Sequence, residues 1–341
     1  MRLIADKDGW KRSLLRAGGY DFYHTYDYHQ LAATPESRPV LFEFESAAAT
    51  ILLPLLINSG ALGNTGFVDA GSVYGYAGPV CTSPSPPSDD LVRFGHELRE
   101  ALLELGVISV FSRLHPLLEN ASLLRGCGLQ REAGRTVSIN LLDSPEQQWR
   151  GFRDNHRRDI RKLRKAGVSC AASREPRDLD AFIRMYEATM TRRSAAAHYF
   201  FPREYFEQMV TAEDFDCRLF VCSQDGALLS GALFCICNGI VQYHLGATSE
   251  EFIGMASTKL MFDEVRLWGT AQGYRVLHLG GGLGGADDSL FRFKQGFSRS
   301  THDFMVWNWI IDQRKYDELA ALSGHDGSHD AAGFFPVYRS P

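Results

Sequence analysis

The chain has 341 residues, of which 45% are hydrophobic and 23% charged. That is the mix of a globular protein with enough length for two cores, and it excludes a disordered chain, a collagen-like repeat and a small disulfide scaffold. The 36 basic and 41 acidic residues leave a formal net charge of −5, which excludes a uniformly basic polyanion binder but not a local basic patch.

Taken in chain order, the hydrophobic pattern predicts two halves of similar plan, an α/β fold with sheets flanked by helices. Paired strands are predicted over Val40–Glu45 and Thr50–Ile57, followed by a loop of small residues and an aromatic run, Val73–Val80. The breaker-rich segment Cys81–Ser88 leads into a helix over Asp89–Leu105, with Ser88 as N-cap and Gly106 as its stop. A strand Val107–Phe111, a helix Leu117–Arg125 and a strand Arg135–Leu142 complete the first half.

Between the halves, Ser144–Ala166 reads as one helix, with Ser144 as N-cap, Pro145 at the first position and Gln147 completing a capping box. Arg150 to Lys165 carries eight basic and two acidic residues, a local +6. Such a face is either simply solvated or turned towards an anionic partner.

The second half repeats the order. Strands Phe215–Ser223, Leu228–Cys237 and Ile240–Ala247 are joined by tight turns at Gln224–Ala227 and Asn238-Gly239. A helix Ala256–Gln272 stops at Gly273, a strand Arg275–Leu279 exits into Gly280-Gly281-Gly282, a short helix spans Ser289–Lys294, and a last strand covers Asp303–Ile311. The predicted domains are 1–143 and 144–314, the second opening with the linking helix 144–166, and the tail 315–341 is expected to be peripheral.

The seven cysteines are odd in number and scattered. Cys235-Ile-Cys237 places two thiols on one strand face, but a zinc site needs a second cluster. Free thiols of a reducing compartment are expected, with no metal. Met1–Asp8 is charged and precedes no apolar leader run, and Ala47–Ile57 is short and broken by Pro54, so no transmembrane segment and a cytoplasmic location are expected.

Three segments carry candidate chemistry: Val241-Gln-Tyr-His-Leu-Gly246, Val276-Leu-His-Leu-Gly-Gly-Gly282 and Ser289-Leu-Phe-Arg-Phe-Lys294-Gln-Gly-Phe297. No Walker or dinucleotide fingerprint is present, since the triple glycine does not open directly into a helix. Together these segments resemble the FemAB-like branch of the GNAT acyltransferase superfamily. Tyr76-Ala-Gly-Pro79, the basic run Asn155–Gly167, Tyr186–Arg192 and Tyr205-Phe206 are similar to that family's other motifs and occur in the same order.

The resemblance implies two tandem GNAT-like domains, each with a mixed, mainly antiparallel sheet flanked by helices. It implies transfer of an aminoacyl group from aminoacyl-tRNA to the amine of a peptide or nucleotide-linked acceptor, by direct attack in a ternary complex. Related members imply the alternative of acetyl-CoA as donor to a sugar or metabolite amine, and a non-catalytic binding protein on the same fold is a third reading. No tightly bound cofactor is expected, and a monomer suffices for two fused domains.

Lys294 matches the family's Phe-Lys position, where a lysine stabilises the developing oxyanion or the departing oxygen. His244, with an imidazole near neutrality, is the candidate acceptor of the amine proton. Tyr243, Arg192, Arg193, Tyr76, Asp287 and Phe293 are candidate substrate-binding residues, the arginines because a guanidinium forks onto phosphate. Asp287 and Asp288 are equally candidates for capping the helix that follows. Donor binding falls to Arg157, Arg158, Arg161 and Lys162 for tRNA, or to Gly254 and Ala256 in Glu251–Ala256 for acetyl-CoA. The early aromatic stretch Tyr26–Ala32 lacks the substrate-binding lysine of the family's aminoacyl-tRNA ligases, and Glu251 would oppose a pyrophosphate.

Overall fold

Alternation of buried side chains is lost along the central strands, because each is covered on both faces. The computed structural model describes residues 1–60, 66–324 and 334–340. It divides into two compact units, Met1–Ala133 with Asp303–Pro341, and Gly134–His302.

The first unit contains β1 (Arg2–Ile4), β2 (Ser37–Glu45), β3 (Thr50–Asn58), β4 (Val68–Gly71), β5 (Val80–Cys81) and β6 (Val107–Arg113). Its sheet runs β1-β2-β3-β4-β6 and then the closing strand Thr301–Ile310, all antiparallel except β4 against β6. Helix Ser88–Glu104 packs Phe94, Leu98 and Leu102 on one face of β2 and β3, against Phe42, Phe44, Leu53 and Leu55. Trp10 and Leu14 of helix Lys7–Ala17 cover Leu41 and Leu52 on the other.

The second unit contains β7 (Leu129–Asn140, from Gly134 onwards), β8 (Ser169–Ser173), β9 (Asp216–Gln224), β10 (Ala227–Cys237), β11 (Ile240–Thr248) and β12 (Val276–Gly281). Its order is β7-β12-β11-β10-β9-β8, again antiparallel save for one pair, β11 with β12. Asp225-Gly226 and Asn238-Gly239 turn these hairpins with positive φ at both residues, as two-residue loops of this twist require. Phe262 and Val265 of helix Thr258–Ala271 meet Phe220, Phe234 and Leu277 in the core. Helices Pro176–Arg192 and Arg203–Thr211 pack against β9, β10 and β11.

Each unit is a mixed, mainly antiparallel sheet flanked by helices, the expected α/β plan. The boundaries differ from expectation, lying at 133/134 and 302/303 rather than 143/144 and 314/315. Both changes of unit occur inside strands, the first at Gly134, which takes φ +152°, and the second between His302 and Asp303. The described part of the tail is not peripheral: Tyr316 and Leu319 of helix Gln313–Leu322 pack with Ile108 and Tyr338, and Arg339 pairs with the buried Asp69 at 2.6 and 2.9 Å. Residues 325–333 and 341, which the tail expectation also covered, lie outside the described residues.

Local differences have local causes. The aromatic run Val73–Val80 is mostly loop, closed by the two residues of β5, because Gly75 and Gly78 take positive φ there. Leu117–Arg125 holds only a 3-10 turn, Asn120–Leu124. The N-cap of helix Ser88–Glu104 is Pro87, not Ser88. Ser144–Ala166 is two helices, Pro145–Gly151 and Asp154–Lys165, parted where Phe152 and Arg153 are extended. The capping box at Ser144 and Gln147 forms as expected, with bonds of 2.9 and 3.3 Å.

Candidate functional site

In the second unit β11 and β12 pair for only three residues, Ile240–Gln242 with Val276–His278. The last rung is closed by side chains, His278 Nδ1 lying 2.6 Å from Gln242 Oε1. Beyond it both strands are irregular. On β11 the register with β10 slips between Tyr243 and Leu245, leaving His244 as the extra residue. On β12 it slips against β7 between His278 and Gly280, and Gly280 takes φ +75°. Such bulges re-aim side chains at the point where pairing stops.

Lys294 comes to this point from the short helix Ser289–Lys294. Asp288 caps that helix, accepting from the Phe291 N–H at 2.8 Å and the Leu283 N–H at 3.0 Å. Burial raises the Asp288 pKa, but its backbone donors and the Lys294 charge outweigh this and hold the carboxyl below its ordinary value. Capping is thus what Asp288 does, while Asp287 is drawn to the surface by Arg135 and Arg292, at 3.3 Å each.

Lys294 is only 6% exposed. It donates to the Gly281 carbonyl at 2.7 Å and lies 5.6 Å from the centre of the Tyr243 ring. Two contacts replace water poorly, so burial pulls its pKa from 10.5 down to about 7, against the opposing pull of Asp288. A lysine poised there exchanges a proton readily at neutral pH. Gly280 faces the same Nζ closely, so a side chain at 280 would crowd it as well as strain the backbone.

Tyr243 packs edge-on against Phe262 at 4.9 Å, and its hydroxyl runs over Gly246, where a methyl group would overlap it. Burial raises its phenol pKa to about 12, and the Arg193 guanidinium opposes that rise, placing Arg193 within electrostatic reach. Arg192 and Arg193, exposed, end helix Pro176–Arg192. Tyr243, Arg193 and Lys294 are therefore the predicted residues that the second unit brings together.

His244 does not fit the role of proton acceptor. It is buried, its Nε2 lies 2.7 Å from the Tyr205 hydroxyl, and burial drives its pKa to about 3, too weak a base for an ammonium. Phe293, half-buried, packs against the core beside Phe262, Phe297 and His156. Tyr76 belongs to the first unit, where it packs edge-on to Tyr23 and Phe304.

The basic segment is divided by face. His156, Ile160 and Leu163 turn into the core, while Arg158, Arg161, Lys162 and Lys165, at three- and four-residue spacing, form an exposed stripe on the opposite side. Arg157 pairs with Asp154, Arg158 lies 3.4 Å from Asp159, and the Arg161 guanidinium lies 5.5 Å from the Trp149 ring. Arg164 is engaged by Glu264 and the buried Asp263, at 2.5 and 2.8 Å.

The loop before helix Thr258–Ala271 holds Gly254, with open space where a side chain would be, and Ala256 at φ +53°. That helix has no acidic residue in its first turn and no side-chain cap. Beside this loop Ala181, Arg184, Met185, Ala188 and Thr248 line a cavity of about 290 Å³. Among the described residues no group of three or more metal-ligating side chains occurs, and no helix is long and apolar enough to cross a membrane. The Cys217 and Cys235 sulfurs lie 3.7 Å apart on paired strands.

Three residues of consequence carried no role in the sequence reading. Tyr205 partners His244, and Arg153 and His156 contact the end of the Lys294 helix. For His156 a signal existed: with Ile160 and Leu163 it makes an i, i+4, i+7 inward face, hidden by counting only charges.

Residues 150–295 match the model of the acetyltransferase (GNAT) domain. No curated protein matches the sequence significantly. Among solved structures the chain is similar to FemX, at 13% identity and a TM-score of 0.70, over 93% of this chain and 99% of that one. It is also similar to L-PGS from Bacillus licheniformis, at 14% and 0.57, over 89% and 92%. The tandem GNAT protein from the clavulanic acid biosynthesis pathway follows at 12% and 0.50, over 90% and 98%. At these identities the likeness is one of fold.

Proposed function

Since the chain has the tandem fold of the FemAB-like branch of the GNAT superfamily and carries a GNAT acyltransferase domain, we propose that it transfers an aminoacyl group from aminoacyl-tRNA to an amine. The observation that carries the acyl-transfer chemistry is Lys294, buried, with a pKa near 7, beside the point where β11 and β12 part. The acceptor amine attacks the ester carbonyl, a C–N bond forms and the bond from the acyl carbon to the ribosyl oxygen breaks. The proton the amine loses ends on the departing oxygen, and Lys294 is placed to stabilise the oxyanion and pass that proton on. No acyl-enzyme is needed, and the acceptor is a peptide or small-molecule amine.

The exposed stripe Arg158, Arg161, Lys162 and Lys165 supports a nucleic-acid-borne donor, since each cation can neutralise a phosphate. Arg193, near Tyr243, suits a phosphate of the acceptor. A second reading, acetyl-CoA as donor, is favoured by the open backbone at Gly254 ahead of a helix free of acidic first-turn residues. Glu250 and Glu251 at the mouth of that loop oppose it.

Mass spectrometry of an acceptor panel, incubated with the protein and either charged tRNA or acetyl-CoA, tests both. Mass gain with charged tRNA alone is the expected result. Gain with acetyl-CoA alone replaces the donor assignment, and gain with neither overturns the transferase reading.

A further inference from the structure

The inward face of the basic helix meets the end of the helix that carries Lys294. We propose that His156, together with Arg153, positions Lys294, so that the segment presenting the cation stripe is also the scaffold of the reactive amine. This rests on the reading of Lys294 given above.

Helix Ser289–Lys294 has six residues, far below the roughly 12–15 at which an isolated helix becomes even marginal in water. Its placement must come from outside. Asp288 holds its first turn, and its last carbonyls need partners of their own. Arg153 supplies three bonds there: its backbone N–H to the Gly296 carbonyl at 2.8 Å, Nη1 to the Arg292 carbonyl at 3.2 Å, and Nη2 to Gln295 Oε1 at 2.9 Å. His156 Nε2 lies 3.0 Å from the Phe293 carbonyl, which belongs to the peptide bond joining Phe293 to Lys294.

A carbonyl only accepts, so the Nε2 of His156 carries the proton in this bond. Burial lowers the imidazole pKa below its ordinary value, and the other ring nitrogen, Nδ1, lies 3.2 Å from Asn155 Oδ1. The ring is fixed between Phe293 at 5.5 Å and Phe297 at 4.5 Å. Residue 296 is glycine for a spatial reason, since a methyl group there would overlap the imidazole. A shift of His156 therefore moves the peptide plane next to Lys294, and the amine with it. His156 touches neither substrate nor reacting atoms, so it is a positioning residue.

The test compares the full chain with H156L, which keeps bulk and removes the donor, and H156Q, which restores a donor. Lys294 reactivity is read by competitive labelling with acetic anhydride between pH 6 and 10, resolved residue by residue by mass spectrometry with Lys165 as internal reference. In H156L the Lys294 labelling rate relative to Lys165 is expected to change by about threefold or more, while H156Q stays close to wild type. Acyl transfer in H156L is expected to lose about tenfold in kcat, with the donor KM within about twofold.

Unchanged Lys294 labelling in H156L, or H156Q behaving as H156L does, overturns the positioning role. If H156L does not fold, R153M, which loses the two guanidinium bonds but keeps the backbone one, carries the same labelling test. Altered labelling with no transfer by the parent protein would sink the functional reading and leave the positioning role standing. Unaltered labelling alongside active parent protein would do the reverse.

Discussion

Each unit contains one parallel strand pair joined through a helix, β4 to β6 by helix Ser88–Glu104 and β11 to β12 by helix Thr258–Ala271. The two helix starts are chemically opposite. In the first unit Asp89 and Asp90 occupy the first turn, and Asp90, nearly buried, accepts from the Ser46 hydroxyl at 2.6 Å. That carboxylate already meets the positive end of the helix. In the second unit the first turn has no acidic residue and the preceding loop is open at Gly254. The same architecture is thus closed by its own side chain in one copy and left open in the other.

The polar clusters differ in the same sense. In the first unit the fully buried His115 Nε2 lies 3.0 Å from Asp21 Oδ2, and its Nδ1 accepts from the Leu117 N–H at 3.1 Å, so both ring nitrogens are used. Asp21 also caps the turn Phe22–His24. In the second unit Lys294 has one close hydrogen bond and a pKa near 7. An imidazole with both ring nitrogens engaged stabilises a fold, whereas an under-solvated amine stores reactivity at a cost in stability.

The sharpest way to break this contrast is K294M. Transfer is expected to fall at least about a hundredfold, the scale for losing an oxyanion donor, read as kcat in the mass-spectrometric assay. The same change should stabilise the protein. A lysine whose pKa drops from 10.5 to about 7 on folding binds its proton more tightly when unfolded, so stability is lost as pH falls from 10.5 to about 7 and stays low below that. Melting temperatures should therefore rise in K294M at pH 7 and converge with wild type near pH 10.5. A destabilised K294M at pH 7 would contradict the assignment.

On the other side of the comparison, D21A should cost about 3 kcal/mol in denaturant unfolding, by stranding His115 and uncapping a turn. It should leave Lys294 labelling unchanged. The double charge reversal R158E/K162E should weaken tRNA binding about tenfold at low salt and reduce the slope of log affinity against log salt by about 2. An unchanged slope would remove the stripe from the donor site. The smallest effect expected is pH dependence from His244. Its pKa falls from 6.5 to about 3 on folding, so it contributes a loss of stability as pH drops from 6.5 towards 3, and H244F should flatten that slope in acid melts.

Much of the fold was legible in the sequence because its signals are local. The apolar runs of β2 and β3, the positive-φ turns at Asp225-Gly226 and Asn238-Gly239, and the Ser144 capping box all depend on neighbours within a few residues. Lys294 was also legible, through its match to the Phe-Lys position of the family that the segment resembles. The roles of His244 and Phe293 were not, because a strand or helix residue's environment is set by whichever element covers it. Tyr205 is 39 residues from His244, and His156 is 137 from Phe293.

Sequence alone determined that the chain holds two α/β sheets of similar plan, that a basic segment lies between the predicted halves, and that a lysine sits among aromatic residues after a triple glycine. Tertiary structure alone decided where the units divide, which face of the basic segment points to solvent, and that Lys294 is held between Gly281 and Tyr243. The physical reason is range. Hydrophobic period, caps and turns act over one or two turns of chain, whereas the desolvation that moves a pKa is produced by groups the fold brings together from afar.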